Sequence, residues 1–259
     1  MAGDWKYRIG LSLTGFPPAP ISPVQSSSYP TVLFNAMVKP WTAFPIKGVI
    51  WYQGEANVGR SEQYGDLFPA LITDWRRQWR SDFPFYFVQL ANFMESKKIQ
   101  PDSEWAALRE AQTKALKLDQ VGMAVTIDIG LADDIHPKNK QEVGRRLALV
   151  ALAGSYGKNV SSSAPVFQNY IIKGNKMELD FGQKQDGFQI KGTTLKGFTI
   201  AGPDRVFYPA EAMVHDGKII LSSTEVPAPL AARYGWADNP DCNLYGENGL
   251  PVALSDRLL

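Results

Sequence analysis

Between Ile46 and Gly154 the chain repeats one passage three times: a short apolar run, a polar turn, then apolar residues at helical spacing. Ile46 to Tyr52, Phe85 to Leu90 and Val121 to Ile127 read as buried strands. After the first, Tyr64, Leu67, Phe68, Leu71, Ile72, Trp75 and Trp79 form one helical face. Ser61 is its candidate N-cap, and Pro69 predicts a kink or a break. A second helix is expected from Ser103 to Leu118, with Trp105, Leu108, Ala111 and Ala115 inward. A third begins near Asn139, its face made by Val143, Leu147, Val150, Ala151 and Gly154. Strands and helices that alternate through short links imply a parallel sheet with right-handed crossovers. Residues just past Tyr52 and just past Ile127 then emerge on the same sheet edge, where open α/β sheets place their chemistry.

The flanks read differently. Residues 1–45 begin rich in Pro and Ser, as in Phe16-Pro17-Pro18-Ala19-Pro20 and Ser26-Ser27-Ser28, and predict an extended connector. A short helix is expected there from Val32 to Val38, stopped by Pro40. From 159 to 259, short β-prone runs such as Tyr170-Ile171-Ile172 and Ile219-Ile220-Leu221 are separated by Gly-Asn and Asp-Gly turns, which is antiparallel chemistry. The expected fold class is α/β: a core at 46–158 with a parallel sheet and flanking helices, followed by a smaller antiparallel β-rich region.

With 259 residues, 44% of them hydrophobic, the chain can bury a full core. A net charge of +1 leaves no electrostatic footprint for nucleic acid or an anionic membrane. No run is long enough to span a bilayer. One cysteine, Cys242, excludes an internal disulfide and a cysteine-rich metal site. Neither a cofactor nor a metal is expected. The seven tryptophans suit packing against sugar rings, though core packing accounts for Trp more often.

Of the two histidines, His136 has carboxylates beside it, Asp133 three residues before and Asp134 two before. An imidazole needs a partner on its second nitrogen to fix the tautomer and to hold the imidazolium. Asp133 and Asp134 both remain open for that role. They could instead cap the following helix or, with His136, ligate a metal, although no further His or Cys stands near to complete a shell. His215, before Asp216-Gly217, reads as part of a hairpin. The turn after Tyr52 offers Gln53 and Asn57 as carboxamide donors for an oxyanion, Gly54 for close backbone approach, and Glu55 to bind a substrate hydroxyl or brace the turn.

Gly48-Val49-Ile50-Trp51-Tyr52-Gln53-Gly54-Glu55-Ala56-Asn57, Asp74-Trp75-Arg76, the run Pro84 to Leu90, Asp134-Ile135-His136-Pro137 and Arg233-Tyr234-Gly235-Trp236 resemble the sialate O-acetylesterase family of the SGNH hydrolase superfamily. The resemblance implies a serine esterase that removes acetyl groups from O-acetylated sialic acids or related sugars. It implies a partial SGNH-type sheet, His136 as general base with Asp133 as its orienting carboxylate, and Gln53 as an oxyanion donor. Family members keep an acid at the Asp134 position more often than at Asp133, so the choice between them stays open.

The family's serine lies in a Gly-x-Ser block well upstream of the Gln-Gly-Glu strand. Here the first fifty residues match the family segment that follows that block. Gly10-Leu11-Ser12 lacks a strand-turn-helix context, and neither Ser12 nor Ser26 to Ser28 is favoured as nucleophile. The expectation is therefore a serine supplied from outside this chain, with the missing N-terminal segment or a second copy as partner beside the acetylated sugar. A catalytically incomplete fragment, acting as a carbohydrate-binding or structural module, is the alternative. The resemblance points to a periplasmic or secreted location.

Overall fold

The computed structural model describes residues 29–97, 102–182 and 187–253. Ser12 and Ser26 to Ser28 lie outside them. The chain divides into two compact units, 1–45 and 46–259. In the first, Phe34–Val38 is wound as a π-helix and Lys39–Trp41 continues as a 3-10 turn. Pro40 therefore does not stop the helical winding. It sits in the first turn of the 3-10 segment, where its missing N–H has no partner to lose.

The second unit is built on β1 (Val49–Trp51), β2 (Phe85–Val88) and β3 (Val121–Ala124), which pair in parallel in that order. Two helices pack on one face: α1 (Ser61–Trp79) and α2 (Glu104–Thr113), the latter extended by a 3-10 turn at Lys114–Lys117. Trp51, Phe85 and Phe87 meet Tyr64, Phe68, Ile72 and Leu108 there in one buried cluster. α3 (Lys140–Gly154) covers the other face, drawn close by the absence of a side chain at Gly122, where a Cβ would come 2.4 Å from Val150 Cγ1. β2 is buried along its whole length, as a central parallel strand should be. On β1, which has no second partner strand among the described residues, Ile50 is 70% exposed.

Arg60, not Ser61, is the N-cap of α1, and the helix runs through Pro69 without a break. A proline in a helix interior costs about 3 kcal/mol. Burying the three large side chains Tyr64, Phe68 and Ile72 from the same helix contributes roughly 1.5 to 3 kcal/mol each, which outweighs it.

Among the described residues the β-rich part holds three antiparallel sheets. In the largest, β4 (Asn169–Lys173), β5 (Lys176–Asp180), β10 (Lys218–Ser222) and β9 (Glu211–His215) lie in that order. The β9–β10 hairpin turns at Asp216-Gly217, both at positive φ (49° and 71°), leaving His215 beside Asp216 on the surface. β11 (Ala231–Tyr234), β7 (Phe198–Ala201) and β8 (Phe207–Pro209) make the second sheet, and β12 (Leu244–Gly246) pairs with β6 (Phe188–Ile190).

Candidate active site

The first turn begins where β1 stops. Gly54, at φ 153°, starts a 3-10 turn at Glu55–Asn57, closed by Asn57 N–H to Gly54 O at 2.8 Å. A Cβ on Gly54 would stand a tight 3.2 Å from Gln112 Nε2, and its φ of 153° is one that L side chains rarely adopt, so glycine suits the turn. Gln53 Nε2 donates to Asn57 Oδ1 at 2.8 Å, and Tyr64 OH donates to Gln53 Oε1 at 3.3 Å. The backbone carbonyl of Gln53 accepts from Gln112 Nε2 at 3.3 Å. Gln112 is fully buried, and its Oε1 accepts the N–H of Leu90 at 2.9 Å. Its amide thus ties the end of β1 to the end of β2. The Gln53 carboxamide keeps one N–H beyond the bond to Asn57, and it is half-buried, as are Glu55 and Asn57.

The second turn leaves β3 and is held from below. Thr126 Oγ1 donates to Gln89 O at 2.6 Å, and Gly130 N–H donates to Asn92 Oδ1 at 2.7 Å. A Cβ on Gly130 would fall 1.8 Å from Asn92 O, so this residue must be glycine. Asp128 takes a two-pronged bond from the Arg146 guanidinium on α3, at 2.6 and 2.9 Å, and a third bond from Tyr245 OH at 3.1 Å. Asp128 is therefore occupied as a brace for this loop.

His136 stands between two anchors. Ile135 packs against the cluster containing Phe87 and Leu90, and Pro137 is buried. The imidazole itself is 86% exposed. Its Nδ1 lies 3.5 Å from Asp134 Oδ1, which also accepts the backbone N–H of His136 at 2.9 Å. That backbone bond, helped by Lys138 at 3.9 Å, holds the Asp134 carboxyl below the usual carboxylate range. Asp133 is exposed, so of the two candidate carboxylates the geometry brings Asp134 to the ring.

One contact joins the flank of the first turn to the start of α3, and residues next to both turns share a large buried cluster. Trp51, Val58 and Ile135 pack on one buried cluster, and Lys140 Nζ lies 4.7 Å from the centre of the Tyr52 ring. Burial, with Glu55 nearby, pushes the Tyr52 phenol up to about 12. No hydrogen bond among the described residues joins Gln53 to His136. Nor do three His, Cys, Asp or Glu side chains gather there to hold a metal.

Sequence reasoning missed Tyr64, Gln112 and Lys140. Gln112 carried a signal, since it lies on the inward face with Trp105, Leu108 and Ala115, where a polar residue must have a buried partner.

The family model "Carbohydrate esterase, sialic acid-specific acetylesterase" matches residues 20–153. The chain belongs to this family. The matched span carries both turns. Sialate O-acetylesterase from Pongo abelii is 35% identical over 93% of this chain and 52% of its own length. That from Mus musculus is 37% identical over 81% of this chain and 43% of its own. The chain thus spans about half the length of these acetylesterase relatives. A crystal structure of a carbohydrate acetylesterase from Xanthomonas citri superposes with a TM-score of 0.83 at 44% identity, covering 88% of this chain and 54% of the other. The likeness therefore extends beyond the α/β part into the antiparallel region.

Proposed function

We propose that the Gln53 and His136 turns form the base and oxyanion side of an esterase site that removes acetyl groups from O-acetylated sugars. The observation that supports this reading is an imidazole with an adjacent carboxylate in the turn after β3 and a braced carboxamide in the turn after β1, both leaving the C-terminal ends of one parallel sheet. A serine outside the described residues attacks the acetyl carbonyl, and His136 accepts its proton. The same proton then passes to the departing sugar oxygen, leaving an acetyl-enzyme. Water, deprotonated by His136, attacks the acetyl carbon, and the serine oxygen leaves with the proton returned from His136 as acetate is released. Gln53 Nε2 donates to the oxyanion in both steps, and Asp134 orients the imidazole. Glu55 and Asn57 meet the hydroxyl groups of the sugar, and Asp133 stays at the solvent-facing rim.

The test is to label the enzyme with a fluorophosphonate and map the modified peptide. The expected label falls on a serine outside residues 29–97, 102–182 and 187–253, whether in this sequence or on an associated polypeptide, and His136→Ala prevents it. Labelling and acetyl release that survive His136→Ala would overturn the reading. Acetyl release abolished by a chelator, with no serine labelled, would favour metal-assisted hydrolysis instead.

A further inference from the structure

The Arg233-Tyr234-Gly235-Trp236 block takes no part in the site above, but its bonds seat two residues that reach the His136 loop. Tyr234 OH accepts the N–H of Leu244 at 3.1 Å, which fixes β12 and with it the next residue, Tyr245. The carbonyls of Gly235, Ala237 and Asp238 accept from the fully buried Arg109 guanidinium on α2. Asp238 Oδ1 also accepts from Ser103 Oγ at 2.6 Å. Asn239, the residue after Asp238, is thus carried by a segment pinned to the α/β core.

From these seats both side chains act on the loop between β3 and α3. The Tyr245 ring is buried with Lys191 Nζ 3.6 Å from its centre, and its hydroxyl donates to Asp128 Oδ2 at 3.1 Å. Asn239 works through Asn92. The N–H of Gly130 can only donate, so the oxygen of Asn92 must face it, at 2.7 Å. That turns the Asn92 amide toward Asn239 Oδ1, also at 2.7 Å. The Asn239 amide in turn meets the Met94 carbonyl, which can only accept, at 2.7 Å. Backbone groups at both ends therefore set the direction of each carboxamide between them. Without the Asn239 oxygen, the Asn92 amide loses its acceptor and is free to turn over, which withdraws the oxygen from Gly130.

The ring of His136 depends on this support. It is 86% exposed, and the carboxylate near its Nδ1, that of Asp134, lies on the same loop. Where the imidazole points therefore follows where the loop backbone runs, and that backbone is held at residues 128 and 130 by bonds that begin in the β-rich region. A catalytic group has to be held within about 0.5 Å of its productive geometry. A misplacement of about 1 Å can cost about 10²-fold in rate.

We propose that the β-rich region is the frame for the base, with Asn239, acting through Asn92, and Tyr245, acting through Asp128, as positioning residues for His136. The effect on catalysis rests on the reading under Proposed function, whereas the placement of the loop does not. The chain has two histidines, so isotopic labelling of the imidazole Cε1 carbons gives two NMR signals from the whole protein. His136→Ala assigns them, and His215, on the β9–β10 hairpin, is the internal reference.

Well below the thermal midpoint, Tyr245→Phe and Asn239→Ala should each shift or split the His136 signal and leave that of His215 in place. Each should lower kcat for acetyl release about tenfold, with KM within about twofold of the parent. Tyr245→Phe removes one oxygen and keeps the packed ring, so the test stays decisive should Asn239→Ala fail to fold. A His136 signal that stays in place in folded variants, or one that moves together with that of His215, would overturn the proposal. So would an unchanged kcat in both variants where His136→Ala abolishes acetyl release. If acetyl release survives His136→Ala, the esterase reading fails, while a displaced His136 signal still supports the frame.

Discussion

The two turns that leave the C-terminal ends of β1 and β3 are held by opposite means. Around Gln53 the side chain itself is fixed: its amide and both its carbonyls are engaged by Asn57, Tyr64 and Gln112. Around His136 the backbone is fixed through Ile135 and Pro137, while the ring projects into solvent with Asp134 as its partner. An oxyanion donor must be in place before charge develops, so rigidity serves it. A base that moves a proton between a serine, a leaving group and water needs access more than burial. The difference predicts how each turn responds to truncation. His136→Ala should reduce kcat for acetyl release by about 10³- to 10⁴-fold while leaving the thermal midpoint unchanged, because little packing is lost. Gln53→Ala should reduce kcat less, about 10²- to 10³-fold, and should also lower the midpoint by leaving Tyr64 and Asn57 short of partners. Thermal midpoints that fall equally in the two variants would erase the distinction.

The carboxylates beside the ring sharpen the second half of the comparison. Asp134 is near Nδ1 and Asp133 is not, so Asp134→Asn should lower kcat by about tenfold, a loss of about 1.4 kcal/mol of transition-state stabilisation, with KM little changed. Asp133→Asn should stay within about twofold of the parent. If the larger loss followed Asp133, the ring would have to turn toward that residue when substrate binds.

Much of this was legible in the sequence because hydrophobic periodicity is a local signal. Three strands and three helices appear where spacing places them, and Ser103 and Asn139 cap α2 and α3, accepting from Ala106 and Glu142 at 2.9 and 3.1 Å. Strand ends were less legible. The third apolar run continues to Ile127, but the ladder stops at Ala124, and past it the Thr126 hydroxyl donates to Gln89 O as the chain turns away. Pro69 does not break α1, since the burial that carries the helix through it belongs to the tertiary fold. Least legible were the supports of Gln53. Tyr64 and Gln112 are 11 and 59 residues away in sequence, and no local pattern joins them to the turn. The two turns themselves stood out as clusters of polar residues between apolar runs.

The two turns also differ in the charge of what supports them. Gln53 rests on carboxamides and a phenol, none of which titrates in acid. The His136 loop rests on Asp128, Arg146 and Glu142, with Arg146 donating to Glu142 at 2.8 Å as well as to Asp128. Hydrogen bonds from Arg145, then Arg146, hold the Glu142 carboxyl down to about 2 from its ordinary 4.5. A carboxylate whose pKa is depressed on folding contributes stability that is fully present above its unfolded value and lost as pH falls through the folded one. The loss should therefore run from about pH 4.5 down to about pH 2 and fall on the α3 side of the site. Glu142→Gln should remove a small part of the pH dependence of the thermal midpoint across that window, since Glu142 is partly exposed and water screens the pair. Amide hydrogen exchange should show α3 and the His136 loop opening in acid before the Gln53 turn does. Parallel acid curves for the parent and Glu142→Gln would mean that other carboxylates govern the transition, and simultaneous opening of both turns would mean that the sheet edge responds as one body.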